Sequence, residues 1–169
     1  MAILNALEHN PNVDYAEFDQ LIPPNFIPND PYYSGQWHLP KIQAPQAWDS
    51  VTGSASAVIA ILDTGVKCDH PDLVGKCLPG WNVVSSNSDT SDINGHGTAV
   101  AGTAVASTNN ALVVAAPCWN CKILPVRVTN LAGGSSNTSA LTAGVIWAAD
   151  HGAKIASASF GNSDAALSY

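Results

Sequence analysis

The sequence has little charge and few basic residues. Charged side chains make up 11% of its 169 residues, and six Lys and Arg stand against 13 Asp and Glu, which gives a formal net charge of −7. A chain with this balance has no basic patch for nucleic acid and no polybasic segment for an anionic membrane surface. We therefore expect neither nucleic acid nor a membrane among its partners.

Long apolar runs are missing as well. No run approaches the roughly 20 residues that a membrane-spanning helix needs. Residues 1–8 have neither the basic region nor the apolar core of a signal peptide, so we expect any export signal to lie upstream or to be absent. The sequence instead has 46% hydrophobic residues, which is enough for one domain with a sizeable core.

Four cysteines are present, at Cys68, Cys77, Cys118 and Cys121. An even number allows two disulfides in three connectivities, of which pairing between sequence neighbours is the simplest. The Cys-x-x-Cys pair at 118–121 could instead be a redox or metal motif, but a structural zinc site needs four ligands and a second such pair is absent. We favour disulfides.

The chain divides into three parts by composition. Residues 1–19 form a short separate piece, with a helix predicted at 3–7 and a strand at 13–18. Residues 20–36 are rich in Pro, Asn and Asp, which is typical of an extended, exposed linker. Residues 37–169 contain the segments of helical and strand character.

Strands and helices alternate in this main part. We predict strands at 57–62, 122–128 and 155–160, and helices at 44–48, 96–106 and 138–152. The first strand is continuously apolar, which is typical of a strand covered on both faces. Strands that alternate with helices predict an α/β fold with a doubly wound parallel sheet.

Asp63 directly follows the first predicted strand. In open parallel sheets, ligands gather at the carboxyl ends of the strands, so a carboxylate there is a candidate for function. An aspartate that only caps a turn or a helix is the ordinary alternative.

His96 lies between two glycines and begins a segment of small residues that we predict to be helical. Flanking glycines let the backbone approach another group closely. The positive end of the helix dipole favours a neutral imidazole, and a general base must be neutral to accept a proton. A structural or surface histidine would not explain why a glycine stands on each side of His96.

Together these segments resemble the subtilisin-like serine protease family, the subtilases, and in particular its thermitase branch. The resemblance runs from about residue 28 to residue 162, and its motifs occur in family order and at suitable spacing. They are Asp-Thr-Gly at 63–65, His-Pro-Asp-Leu at 70–73, Gly-His-Gly-Thr at 95–98, the thermitase-like segments 29–33 and 41–49, and the later segments 125–128, 133–135 and 159–161.

The resemblance implies a serine endopeptidase in which Asp63 orients His96. The imidazole would take the proton of a serine and return it to the leaving amine. In this family the triad order along the chain is Asp, His, Ser, and the serine motif lies well beyond residue 162. We therefore expect the chain to end at Tyr169 before the nucleophile. Ser159 matches a substrate-wall position and is not the nucleophile.

The resemblance also implies two walls of a substrate cleft that pair with peptide backbone as added strands. Their residues are Gly133, Gly134 and Ser135 on one side, and Ser159, Phe160 and Gly161 on the other. The implied partners are polypeptide substrates and the protein's own propeptide, and we expect a secreted monomer. Residues 1–19 resemble the tail of an inhibitory propeptide, with cleavage expected between about residues 19 and 28.

A structural calcium ion is a further expectation from the resemblance. Asp30 and Asp72 match family positions that hold this ion, together with Asn110 in the loop after the His96 helix, and oxygen ligands suit calcium. The loop departs from the family pattern because it lacks the usual glycines and has apolar residues at Val113 and Ala115.

Two other functions share part of this pattern. Asp-Thr-Gly is also the signature of aspartic proteases, but these need two such carboxylates in an all-β fold, and they leave Gly-His-Gly-Thr unexplained. We reject that interpretation. The remaining alternative is an inactive subtilase-like protein that binds peptides without cleaving them.

Overall fold

The structure, a computed structural model, describes residues 2–19 and 26–161. Its elements in chain order are α1 (Ala2–Glu8), a 3₁₀ turn (Tyr33–Gly35), α2 (His38–Lys41), α3 (Ala44–Trp48), β1 (Val58–Asp63), β2 (Trp81–Asn82), α4 (His96–Val105), β3 (Lys122–Arg127), α5 (Thr138–Asp150) and β4 (Ile155–Ser157). No helix in these ranges is both long and apolar enough to cross a membrane.

The described strands form one sheet in the order β2-β3-β1-β4, and each neighbouring pair is parallel. Along its whole length β1 pairs with β3, so that Asp63 lies opposite Arg127 at the carboxyl end. On its other side β1 pairs with β4, where Ile59 lies opposite Ile155. The predicted parallel α/β sheet is confirmed, and β1 lies in its interior.

Alternate residues of β1 face opposite sides of the sheet, as the pleat requires. Ile61 lies in an apolar cluster with Ala101 and Val105 of α4. Its neighbour Leu62 lies in a second cluster, with Ala148 of α5. The sheet therefore carries a helix on each face, and both faces of β1 are buried, which explains its uninterrupted apolar sequence.

Helix α5 packs very close to the sheet at Gly144. A Cβ atom at this position would lie 2.9 Å from Val128 Cγ1 and 3.1 Å from Leu62 Cδ2. Contacts this short leave almost no room for a side chain, so the residue facing the sheet here has none. Asn137 begins the helix, and its side chain accepts a hydrogen bond from the backbone N–H of Ala140, which is a standard N-cap.

Both disulfides lie between the cysteines that are close in sequence. Cys68 is bonded to Cys77, and Cys118 is bonded to Cys121. None of the four thiols is left free. Each bridge closes a short loop, and both lie at the apolar cluster on the α4 side of the sheet.

The predicted strand at 13–18 is wrong. These residues form no strand, and the side chains of Tyr15 and Phe18 are 78% and 56% exposed. Apolar alternation alone does not make a strand, because its backbone groups need a neighbouring strand for their hydrogen bonds. The helix predicted at 3–7 is present as part of α1.

The linker prediction is partly wrong. Residues 20–25 lie outside the described ranges. After them the chain is not exposed throughout, since Pro28 is buried and Asp30 is only 4% exposed. Backbone N–H groups of Asn109 and Asn110 donate hydrogen bonds to the Asp30 carboxylate, which draws this segment onto the main part of the molecule.

Candidate active site

Asp63 is the last residue of β1, and its side chain is fully buried. Its backbone carbonyl accepts a hydrogen bond from Val128 N, which holds the end of the strand in the sheet. Its carboxylate oxygen Oδ1 accepts hydrogen bonds from Thr64 N and from the ring of His96, both at 2.8 Å. A buried carboxylate requires such partners, because an unpaired charge is costly away from water.

His96 is the first residue of α4, and its ring lies against Asp63. The distance from His96 Nδ1 to Asp63 Oδ1 is 2.8 Å, and 48% of the imidazole side chain is exposed. An ionised carboxylate only accepts hydrogen bonds, so Nδ1 carries the hydrogen and Nε2 is free to accept a proton. The pair therefore combines an accessible proton acceptor with a buried group that fixes its tautomer.

The two segments can meet because residue 97 has no side chain. A Cβ atom on Gly97 would lie 2.1 Å from Gly65 O and 2.9 Å from Asp63 Cβ. The start of α4 thus presses directly on the backbone that leaves β1. This contact explains the glycine after His96 in physical terms.

The predicted wall at 133–135 lies beside this pair. A Cβ on Gly134 would be 3.4 Å from Thr64 Cγ2 and 3.5 Å from Asn94 Nδ2. The amide of Asn94 also donates a hydrogen bond to Ala132 O. Ser135 O accepts a hydrogen bond from the hydroxyl of Thr129. The segment is therefore anchored next to residues that flank Asp63 and His96.

The second predicted wall, at 159–161, follows β4. Because β4 is parallel to β1, these residues emerge at the same edge of the sheet as Asp63. Phe160 is half-buried against the apolar cluster on the α5 side, while Ser159 and Gly161 are exposed. The structure gives no direct contact between these residues and the Asp63–His96 pair.

Asp30, Asp72 and Asn110 do come together, but through hydrogen bonds to amide groups. The Asp30 oxygens accept from the backbone N–H groups of Asn109 and Asn110. The oxygens of Asp72 accept from Asn110 Nδ2 at 3.0 Å and from Val114 N at 3.1 Å. Every carboxylate oxygen of the two aspartates thus faces a donor.

The orientation of the Asn110 side chain does not suit a cation. Its oxygen accepts a hydrogen bond from Leu112 N, so that its NH₂ group is turned towards Asp72. Calcium needs oxygen ligands, whereas this arrangement presents N–H groups. Within residues 2–19 and 26–161 no group of three His, Cys, Asp or Glu side chains could hold a metal. As arranged, the three residues do not fit a calcium ion.

Sequence reasoning missed Asp92, whose carboxylate lies between the segments of Asp63 and His96. It accepts hydrogen bonds from Thr64 Oγ1 and from Thr98 N. The only signal in the sequence is its position four residues before His96, in a loop rich in Ser, Asp and Asn that is typical of any turn.

Comparison with known proteins identifies relatives over most of the chain. Residues 54–168 match the model of the subtilase family. The chain is 42% identical over 161 residues to the thermophilic serine proteinase of Bacillus sp. (strain AK1), covering 95% of this chain and 40% of that relative. It is 49% identical over 137 residues to thermitase of Thermoactinomyces vulgaris, covering 80% of this chain and 48% of that relative.

More distant matches agree with these. The extracellular basic protease of Dichelobacter nodosus is 32% identical over 182 residues, covering 87% of this chain and 30% of its own length. Among solved structures, a protease from Pseudoalteromonas arctica PAMC 21717 superposes with a TM-score of 0.65 at 35% identity, covering 82% of this chain and 47% of that one. The chain thus spans less than half the length of these relatives.

Proposed function

The chain belongs to the subtilase family, and from this premise we propose that the whole protein is a serine endopeptidase in which Asp63 orients His96 as the general base. The observation that carries the proposal is the 2.8 Å hydrogen bond from His96 Nδ1 to the buried Asp63 carboxylate. This bond joins two separate family motifs, Asp-Thr-Gly at 63–65 and Gly-His-Gly-Thr at 95–98. Two motifs that also meet in the fold are a stronger indication than either motif alone.

The chemistry follows from the roles that the two side chains can take. Asp63 holds the hydrogen on Nδ1 and stabilises the imidazolium that forms when Nε2 accepts a proton. We expect the serine that supplies this proton to lie in the part of the whole protein that corresponds to the unmatched remainder of the relatives. His96 then returns the proton to the leaving amine as the peptide bond breaks.

The proposed substrates are polypeptides in extended conformation. Segments 133–135 and 159–161 are proposed as the two sides of the cleft, where they would add the substrate as a strand. The position of Gly134 beside Thr64 and Asn94 supports the first side. Recognition of backbone rather than side chains suits an endopeptidase of broad specificity.

We propose that the protein is secreted and made with a propeptide. Relatives are named extracellular proteases, and two disulfides are stable in an oxidising compartment. Residues 1–19 are proposed as the tail of the propeptide. Cleavage is expected between about residues 19 and 28, and residues 20–25 of that stretch lie outside the described ranges. The calcium site that the resemblance implies at Asp30, Asp72 and Asn110 is not part of the proposal, because amide donors already occupy the carboxylate oxygens.

Substitution of His96 in the full-length protein tests the proposal. We expect proteolysis of casein by the unaltered protein to be abolished by phenylmethylsulfonyl fluoride, and His96→Ala to lower kcat/KM by about 10⁴-fold or more. His151→Ala is the matched control, because this histidine is exposed at the end of α5, where its ring stacks on Trp147 and hydrogen-bonds the carbonyl of that residue.

The competing interpretation gives a different outcome. An inactive protein that binds peptides would leave casein intact before any inhibitor is added, and His96→Ala would then change no rate. Proteolysis that continues undiminished in the presence of the inhibitor would also contradict a serine mechanism.

A further inference from the structure

One carboxylate in the loop before α4 collects an unusual number of hydrogen bonds. Asp92 Oδ1 accepts from Thr64 Oγ1 at 2.7 Å, from Asn94 N at 3.0 Å and from Gly95 N at 2.9 Å. Asp92 Oδ2 accepts from both the backbone N–H and the hydroxyl of Thr98. All five hydrogen bonds come from residues on two short segments.

These two segments are the ones that carry the proposed catalytic pair. Thr64 directly follows Asp63, and its hydroxyl both donates to Asp92 and accepts a hydrogen bond from Gly97 N at 3.0 Å. A hydroxyl has a single hydrogen, and Thr64 donates it to Asp92. The hydrogen bond to Asp92 therefore fixes the orientation in which the Thr64 oxygen accepts from Gly97, the residue after His96. The chain of bonds runs from the exit of β1 to the start of α4.

The start of α4 depends on these bonds because it has no side-chain cap of its own. Gly95 occupies the N-cap position and has no side chain that could accept a hydrogen bond. The first N–H groups of a helix have no partner within the helix. Here Thr64 satisfies Gly97 N and Asp92 satisfies Thr98 N, so residues outside the helix determine where its first turn lies.

Asp92 keeps its charge over a wide range of pH. Burial raises the pKa of this carboxyl, but the hydrogen bonds from the Thr98 hydroxyl, from Gly95 N and Asn94 N, and from the Thr64 hydroxyl outweigh it and lower the pKa to about 2. The five donors therefore face an ionised acceptor under all conditions in which such an enzyme would work.

We propose that Asp92 is a positioning residue, which holds the exit of β1 and the first turn of α4 in the register that brings His96 against Asp63. The proposal rests on the proposed peptidase function, since it assigns a role within that site. Asp92 itself touches neither ring nor carboxylate of the pair, and it acts through Thr64 and Thr98.

Asp92→Asn in the full-length protein is the first test. Asparagine has the same size, but its NH₂ group cannot accept the two hydrogen bonds from Thr98. We expect kcat to fall by about 10- to 100-fold with KM changed by less than about 2-fold, because the substrate walls stay in place while the base is displaced. Asp69→Asn is the charge-matched control, because this exposed carboxylate pairs with exposed Lys67 and not with Thr64 or Thr98.

A second pair of variants guards against simple misfolding. Thr64→Val removes the hydroxyl without changing the size of the side chain, and it should lower kcat as Asp92→Asn does. Thr64→Ser restores the hydroxyl and should recover most of the loss. The double variant Asp92→Asn/Thr64→Val should be little worse than either single variant, because both cut the same chain of bonds.

Proton NMR gives a readout that needs no proteolysis. The hydrogen on His96 Nδ1 should give a low-field resonance in the unaltered protein, and Asp92→Asn should shift or broaden it at a temperature where circular dichroism shows both proteins folded. A kcat and a resonance that both match those of the unaltered protein would overturn the positioning role. Absence of any proteolysis in the unaltered protein would instead overturn the proposed function, and the resonance would still decide the role of Asp92.

Discussion

Lys76 is a buried cation that the proposed chemistry does not use. Its side chain is 7% exposed, and its ammonium group donates a hydrogen bond to the carbonyl of Trp119. Burial and the nearby charge of Lys122 together lower the pKa of Lys76 to about 8, although Asp72 acts in the opposite direction. The folded state therefore holds the proton of Lys76 less tightly than the unfolded chain does.

This shift predicts a stability that depends on pH in the alkaline range. Between pH 8 and 10.5 the unfolded chain binds more protons at Lys76 than the folded chain does. The free energy of unfolding therefore increases as the pH rises through this range. This added stability is lost again as the pH falls to about 8. The full effect is on the order of 2–3 kcal/mol. Lys76→Met should flatten this slope in denaturant unfolding measured across the range.

The control for this measurement is Lys41→Met, since Lys41 is exposed at the end of α2. The unfolding free energy of Lys41→Met should change with pH as steeply as that of the unaltered protein, because this variant keeps Lys76 and all other titrating groups except Lys41. A Lys76→Met variant whose unfolding free energy rises as steeply with pH as the control would contradict a lowered pKa at Lys76.

Single residues differ in how far the sequence predicts them. Asp63 and His96 stand in motifs whose glycines and strand leave few structural alternatives, so their proximity could be expected. Asp92 and Lys76 could not be found in this way, because each depends on one partner that is distant in sequence, Thr64 for Asp92 and Trp119 for Lys76. Thr64 precedes Asp92 by 28 positions, and only the fold brings the two together.

At the level of elements, the contact between β1 and α4 is the tightest junction near the site. Gly97→Ala would place a methyl group 2.1 Å from Gly65 O. We expect the first turn of α4 to move outward, which would lengthen the His96–Asp63 hydrogen bond and lower kcat of the full-length protein on the order of 100-fold. Steady-state kinetics together with the melting temperature would measure both consequences.

The same helix offers a matched control at Gly102. A Cβ atom there would meet nothing within 4 Å. Gly102→Ala should keep full activity and should stabilise the helix by up to about 1 kcal/mol, because alanine has the higher helix propensity. Equal activity losses in the two variants would show that the close approach at Gly97 is not what matters.

Element prediction succeeded for the long patterns and for the short helix α3, and it failed where a segment had no periodicity or no neighbouring strand. The apolar run of β1 and the small-residue segments of α4 and α5 were long enough to be assigned. The two-residue strand β2 carries no periodicity, and it exists because Trp81 and Asn82 pair with β3. The segment 13–18 has the alternation of a strand but no neighbouring strand.

At the scale of the whole molecule, the segment around Asp30 is attached to the main part through the loop at 109–114. Amide groups of this loop donate hydrogen bonds to both Asp30 and Asp72. Because amide donors already satisfy both carboxylates, we expect added calcium to leave the melting temperature of this chain unchanged. An ion bound at 100 times its dissociation constant would instead add about 2.7 kcal/mol. Thermal unfolding with calcium, with magnesium and with a chelator measures the difference.

Magnesium controls for ionic strength in this experiment. A rise of several degrees that calcium produces and magnesium does not would contradict the expectation. It would also mean that the Asn110 side chain turns its oxygen towards the ion in solution.

The hydrogen bond between His96 and Asp63 joins residues only 33 positions apart, and in this family the serine comes later in the chain. Because His96 and Asp63 both precede that serine, a nascent chain that has not yet reached the serine would carry the proton acceptor without the nucleophile. We therefore expect the proposed peptidase to be unable to cut neighbouring chains until the rest of its domain has been synthesised and has folded.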